Sequence, residues 1–68
     1  MSLGDNIRKR REALNVSQTA LAGAVGVTVG AISQFESNIR IPNAFTFARI
    51  AKALMTTMDA LMYGMEAA

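Results

Sequence analysis

Gln18-Thr19-Ala20-Leu21-Ala22-Gly23-Ala24-Val25-Gly26-Val27-Thr28-Val29-Gly30-Ala31-Ile32-Ser33-Gln34-Phe35-Glu36 is the stretch on which the fold turns. Two short helical patterns flank one break. Leu21, Ala22 and Val25 fall at i, i+1 and i+4, on one face of a first helix. Gly26 supplies the residue most at ease with positive φ, the usual way to stop a helix and turn the chain. Thr28 follows as an N-cap, its hydroxyl free to accept from a backbone N–H of the next turn. In the second helix Ile32 and Phe35 lie one turn apart and face the first. A small residue at the crossing (Ala22), a glycine in a short turn and an apolar anchor beyond it predict a helix-turn-helix over about residues 17–37.

Gln18, Leu21, Ala22, Val25, Gly26, Ile32 and Phe35 resemble, position by position, the helix-turn-helix of the lambda repressor/Cro-like family. Upstream, Ile7-Arg8 and Arg11 are similar to that family's first helix. Downstream, Pro42-Asn43 and Ile50-Ala51-Lys52-Ala53-Leu54 resemble its fourth, and Leu61-Met62-Tyr63-Gly64 its fifth. The resemblance covers nearly the whole chain. It implies an all-α fold, a compact bundle of five short helices around a central helix-turn-helix, in one domain spanning residues 1–68.

Composition agrees with one small domain. Sixty-eight residues bury roughly 60% of their unfolded surface on folding, and 51% apolar against 18% charged residues suits a packed core. With no cysteine or histidine, disulfides, thiolate chemistry and ordinary zinc sites are excluded, and a serine nucleophile would lack its usual base. No acid–base pair or nucleophile constellation appears, so neither an enzyme nor a cofactor is expected. No apolar run approaches the ~18 residues of a membrane span and no signal-peptide pattern opens the chain, which suits a cytoplasmic protein. The net charge is only +2, but Arg8-Lys9-Arg10-Arg11 cluster near the start while Asp59 and Glu66 lie in the tail. A basic patch on a mild surface fits nucleic acid better than a membrane.

Ser2 with Asp5 reads as a capping box opening a helix that runs to about Leu14. Leu3, Ile7 and Leu14 share a stripe, and Arg11 falls on the same stripe. A guanidinium there needs a partner, because unpaired burial costs several kcal/mol. The resemblance implies that partner, Glu36 at the end of the recognition helix, and a structural ion pair. Arg8, Lys9 and Arg10 point in three directions and read as a solvated face. Ser17 caps the second helix, and the family's use of Gln18 implies a backbone-phosphate contact that also braces the recognition helix. The outer face made by Ala20, Gly23 and Ala24 is oddly poor in charge.

Over Thr28 to Ser37 the helical wheel turns Gly30, Ser33, Gln34 and Ser37 outward, with Val29 at the border. These positions would enter a major groove. Thr28, Val29, Gly30, Ser33 and Gln34 are the expected base contacts. Gln34 leads them, since its amide can bond adenine N6 and N7 together. Relatives often carry long polar side chains where Val29 and Gly30 stand, so direct readout looks thin here. Asn38 occupies a left-handed C-cap position where the family has glycine. With Gln18 and Arg40, it completes the expected phosphate contacts. Pro42 fixes the following turn and Asn43 caps a helix of about Ala44–Leu54, which buries Phe47, Ile50, Ala51 and Leu54 and leaves Phe45 off the stripe. Met55 replaces a common glycine at the next corner, and Thr57 caps the last helix. Met55, Met58, Met62 and Met65 recur through this region, too much apolar surface for so small a core. Met58, Met62 and Met65, with Tyr63 at the rim, are the expected dimer contact. The expectation is a regulator of the Cro/CI repressor type that binds a near-palindromic double-stranded operator as a homodimer, with no small-molecule ligand. An antitoxin-type autoregulator, or an interaction module that has lost DNA binding, are the alternatives.

Overall fold

The computed structural model describes residues 2–64, and the helices within it are α1 (Leu3–Ala13), α2 (Gln18–Val25), α3 (Val29–Glu36), α4 (Ala44–Ala53) and α5 (Met58–Tyr63). Every one starts the same way. Ser2, Ser17, Thr28, Asn43 and Thr57 each accept, through a side-chain oxygen, the N–H of the residue three positions on. Each cap satisfies a donor the helix cannot, worth about 1 kcal/mol, which matters for helices of six to eleven residues.

The helix ends are equally uniform. Gly26 and Gly64 take φ of 83° and 70°, while Asn15, Asn38 and Met55 do so at 56°, 61° and 56°. One residue beyond each internal turn, an N–H reaches back five residues: Val16 to Arg11, Val27 to Ala22, Ile39 to Gln34 and Thr56 to Ala51. These bonds satisfy carbonyls left open by the last turn. The corner at Met55 therefore keeps the left-handed geometry a glycine would adopt, now on a side chain 75% exposed.

The core sits where α1, α2, α3 and α4 converge. Ile7, Ile32, Ile50 and Leu54 are fully buried, with Leu21, Val25, Phe35 and Phe47 around them. Leu61 closes the α5 side, and Leu3, Leu14 and Met58 pack half-buried against the cluster. Two polar contacts and one close approach hold the helices in place. The buried Asn6 donates through Nδ2 to the Leu61 carbonyl at 2.7 Å, pinning α5 to α1. Its Oδ1 is buried without a hydrogen-bond partner. Arg10, which the sequence assigns to a solvated face, instead donates through Nε to the Leu54 carbonyl at 2.9 Å and through a terminal nitrogen to Met55 at 3.1 Å. A cation at the end of α4 meets both its open carbonyls and the negative end of its dipole. Third, Gly4 is buried at the end of α3, where a β-carbon would stand 2.3 Å from the Phe35 carbonyl oxygen.

Candidate nucleic-acid interface

The period of α3 divides it cleanly. Ala31, Ile32, Phe35 and Glu36 turn inward and are buried, which leaves Thr28, Val29, Gly30, Ser33 and Gln34 exposed. Burying Ile32 and Phe35 anchors the helix by apolar area. Its rotation is set by the one charge it buries.

Glu36 ends α3 with its side chain 3% exposed and receives Arg11 from α1 as a fork: Nε to Oε2 at 2.6 Å and a second terminal nitrogen to Oε1 at 3.0 Å. The remaining Arg11 nitrogen donates to the Val16 carbonyl at 2.9 Å. A bidentate pair is strongly directional, so it fixes α3 against α1 in angle as well as distance. The hydrogen bond it donates to Glu36 raises the Arg11 guanidinium above its already high ordinary value, and burial opposes that rise without cancelling it. Gln18, at the start of α2, joins the same carboxylate: its Nε2 donates to Glu36 Oε1 at 3.1 Å. The side chain expected to brace the recognition helix does so. Its carbonyl oxygen and one amide hydrogen are left over for another partner.

The residues expected at base edges form one surface. Thr28 spends a lone pair on the Ala31 N–H at 3.1 Å and keeps its hydroxyl proton. Val29 is 41% exposed, an apolar contact in the first turn. A β-carbon built on Gly30 would meet only Thr28 Oγ1, at 3.8 Å, so the fold does not require glycine there. Gln34 is the one long polar group of the face, Ser33 adds a short hydroxyl, and no charged residue lies on it.

Among the expected phosphate contacts, Arg40 is exposed, its guanidinium 5.7 Å from the Phe35 ring centroid. Asn38 is exposed and also has partners within the chain: its Oδ1 accepts the Gly4 N–H at 3.0 Å and its Nδ2 donates to Ser2 Oγ at 2.9 Å. Both ends of that amide are thus engaged within the chain. The residues expected at a dimer contact are split. Met58 is half-buried against the core, Met62 and Tyr63 are 50% and 71% exposed, and Met65 lies outside the described residues. Among the described residues, no three His, Cys, Asp or Glu side chains converge and no helix is long and apolar enough to cross a membrane.

Gly4, Asn6 and Arg10 were all missed as structural residues; Gly4 lies against the end of α3, while Asn6 and Arg10 tie α1 to α5 and to the end of α4. Only Gly4 had a local signal, a glycine inside a helix that it weakens.

A helix held from behind by a second, with its outer face free, is the arrangement that inserts into a DNA groove in helix-turn-helix proteins. The helix-turn-helix family profile matches residues 7–61, and the chain belongs to that family. Over 62 residues it is 40% identical to Repressor protein C2 of Salmonella phage P22, covering 91% of this chain and 29% of that protein. Over 52 residues it is 40% identical to the uncharacterized HTH-type transcriptional regulator y4wC of Sinorhizobium fredii, covering 76% and 36% respectively. The chain thus spans about a third of the length of these relatives. Its fold superposes on a crystal structure of the P22 c2 repressor in complex with a synthetic operator, with a TM-score of 0.90 and 39% identity over 94% of this chain and 97% of that one. The restriction-modification controller protein C.AhdI of Aeromonas hydrophila matches at a TM-score of 0.85 and 25% identity, covering 88% of this chain and 91% of its own.

Proposed function

We propose that this chain binds double-stranded operator DNA as a homodimer and represses transcription by occupying a promoter. The observation that carries the reading is the division of α3: Glu36 is locked inward by Arg11, and an uncharged face of Thr28, Val29, Gly30, Ser33 and Gln34 is turned outward. On that face Gln34 reads an adenine through its amide, Val29 packs on a thymine methyl, and Ser33 and Thr28 supply short polar contacts. Gly30 lets the helix backbone approach the base edges closely, and part of the specificity falls to DNA shape. Gln18 and Arg40 contact phosphates on either side and set the register of the helix in the groove. Pairing through Met58, Met62, Tyr63 and Met65 presents two recognition helices about 34–36 Å apart, matched to a near-palindromic site. The operator named with the P22 c2 repressor structure supports this reading.

The test begins with duplexes selected from a random pool and titrated by fluorescence anisotropy at several salt concentrations. Log affinity should fall linearly with log salt, with a slope set by the number of phosphates neutralised. Gln34→Ala should relax preference at one position and cost about 1–3 kcal/mol on the best site. Arg40→Ala should weaken all sequences alike. A flat salt response, or unchanged discrimination in Gln34→Ala, refutes the corresponding assignment.

A further inference from the structure

The loop after α3 carries Arg40, and apart from the buried Pro42 at its far end its apolar side chains do little to hold it: Ile39 and Ile41 are 76% and 81% exposed. Its order comes from elsewhere. The Ile39 and Arg40 amides both donate to the Gln34 carbonyl, at 3.0 and 3.3 Å. Ahead of them stands Asn38, at a φ of 61°.

Glycine meets that backbone angle at the least cost, so the angle alone gives no reason for an asparagine. What the amide adds is a two-pronged clasp to the start of α1. Its Oδ1 takes the Gly4 N–H, a donor the helix itself leaves open, and its Nδ2 donates to Ser2 Oγ. The same Ser2 oxygen accepts the Asp5 N–H at 3.3 Å, so its two lone pairs are both used. Gly4 makes the approach possible, since a β-carbon there would fall 2.7 Å from Asn38 Oδ1.

We infer that Asn38 is a positioning residue: it ties the end of the recognition helix to the first turn of α1, and so sets where Arg40 reaches a phosphate. This rests on the DNA-binding reading above. Arg40 is then held between two fixed points, the clasp two residues before it and the buried Phe35 ring beneath its guanidinium. An arginine pre-ordered in this way loses less side-chain freedom on contacting DNA than one on a mobile loop.

Asn38→Gly tests it, because that variant keeps the left-handed geometry and deletes only the clasp. Hydrogen exchange should show the Gly4 amide losing protection, together with the amides of Ile39 and Arg40. In a double-mutant cycle on duplex DNA, Arg40→Ala should cost several-fold in affinity in the wild-type background and much less in Asn38→Gly. The salt slope of Asn38→Gly should also move toward that of Arg40→Ala, by about one unit at most. Additive losses would overturn the inference, since Asn38 would then contact DNA on its own account or serve only the fold. A Gly4 amide equally protected without Asn38 would overturn it too. If the wild-type protein binds no duplex at all, the DNA reading itself falls and takes the role of Arg40 with it. Binding with additive losses removes the positioning role alone.

Discussion

Removal of the Arg11 guanidinium should destabilise the domain more than any other single charge deletion. Arg11→Ala deletes three hydrogen bonds, at 2.6, 3.0 and 2.9 Å, and strands Glu36 with its side chain 3% exposed and the Gln18 amide as its side-chain donor. Breaking a buried pair from one side costs about 3–5 kcal/mol, most of it the burden of the unmatched charge. A domain of this size is stable by only about 3–10 kcal/mol at ordinary per-residue values. The variant should therefore lose a third or more of its stability. Glu36→Ala should be milder, near the lower end of that range. The Arg11 side chain it leaves behind is 12% exposed and keeps the Val16 carbonyl. Urea unfolding of both single variants and the double gives the coupling. The double should fall well short of the sum, by about 2 kcal/mol or more, because it leaves no unmatched charge behind.

The arginine side of this linkage should show no pH dependence in ordinary buffers. Its folded-state pKa is raised above the already high value of the free guanidinium, so the stability it carries is present throughout the ordinary pH range and is lost only as pH rises through the higher folded value. Small, additive effects of Arg11→Ala and Glu36→Ala would refute the account of what orients α3.

Three further variants probe the remaining supports. Gly4→Ala places a β-carbon 2.3 Å from the Phe35 carbonyl oxygen and 2.7 Å from that of Glu36, backbone atoms that cannot give way cheaply; it should cost about 3 kcal/mol, and an unchanged melting temperature would contradict the close approach of α1 to α3. Met55→Gly relieves a left-handed φ of 56° on an exposed side chain; thermal unfolding should show a gain of about 1 kcal/mol, and any loss would mean that the side chain has a partner. Met62→Asp puts a charge on a residue 50% exposed; sedimentation with and without operator should show weaker pairing, and wild-type cooperativity would place the dimer contact elsewhere.

The legible part of this molecule is the part written over short spans. Ser17, Thr28, Asn43 and Thr57 cap because each hydroxyl or amide reaches a backbone N–H three residues away, and Gly26 turns the chain because its own φ is 83°. The spacing of Ile32 and Phe35 likewise decides which face of α3 is buried, and therefore which residues remain to meet a partner. Arg11 could be seen to need a counter-charge from its place on an apolar stripe. Naming Glu36 as that charge took a family resemblance, because the two lie 25 residues apart.

Tertiary structure alone decided the rest. Asn6 finds Leu61 across 55 residues, Arg10 finds Leu54 across 44, and Asn38 finds Gly4 across 34. No local pattern marks such partners. An arginine on a helix surface and an asparagine after one look alike in sequence whether they face water, a phosphate or another helix's open carbonyl. What separates these outcomes is which helix ends the packed core brings together, since each end carries unpaired N–H or C=O groups that draw in whatever side chain comes within reach.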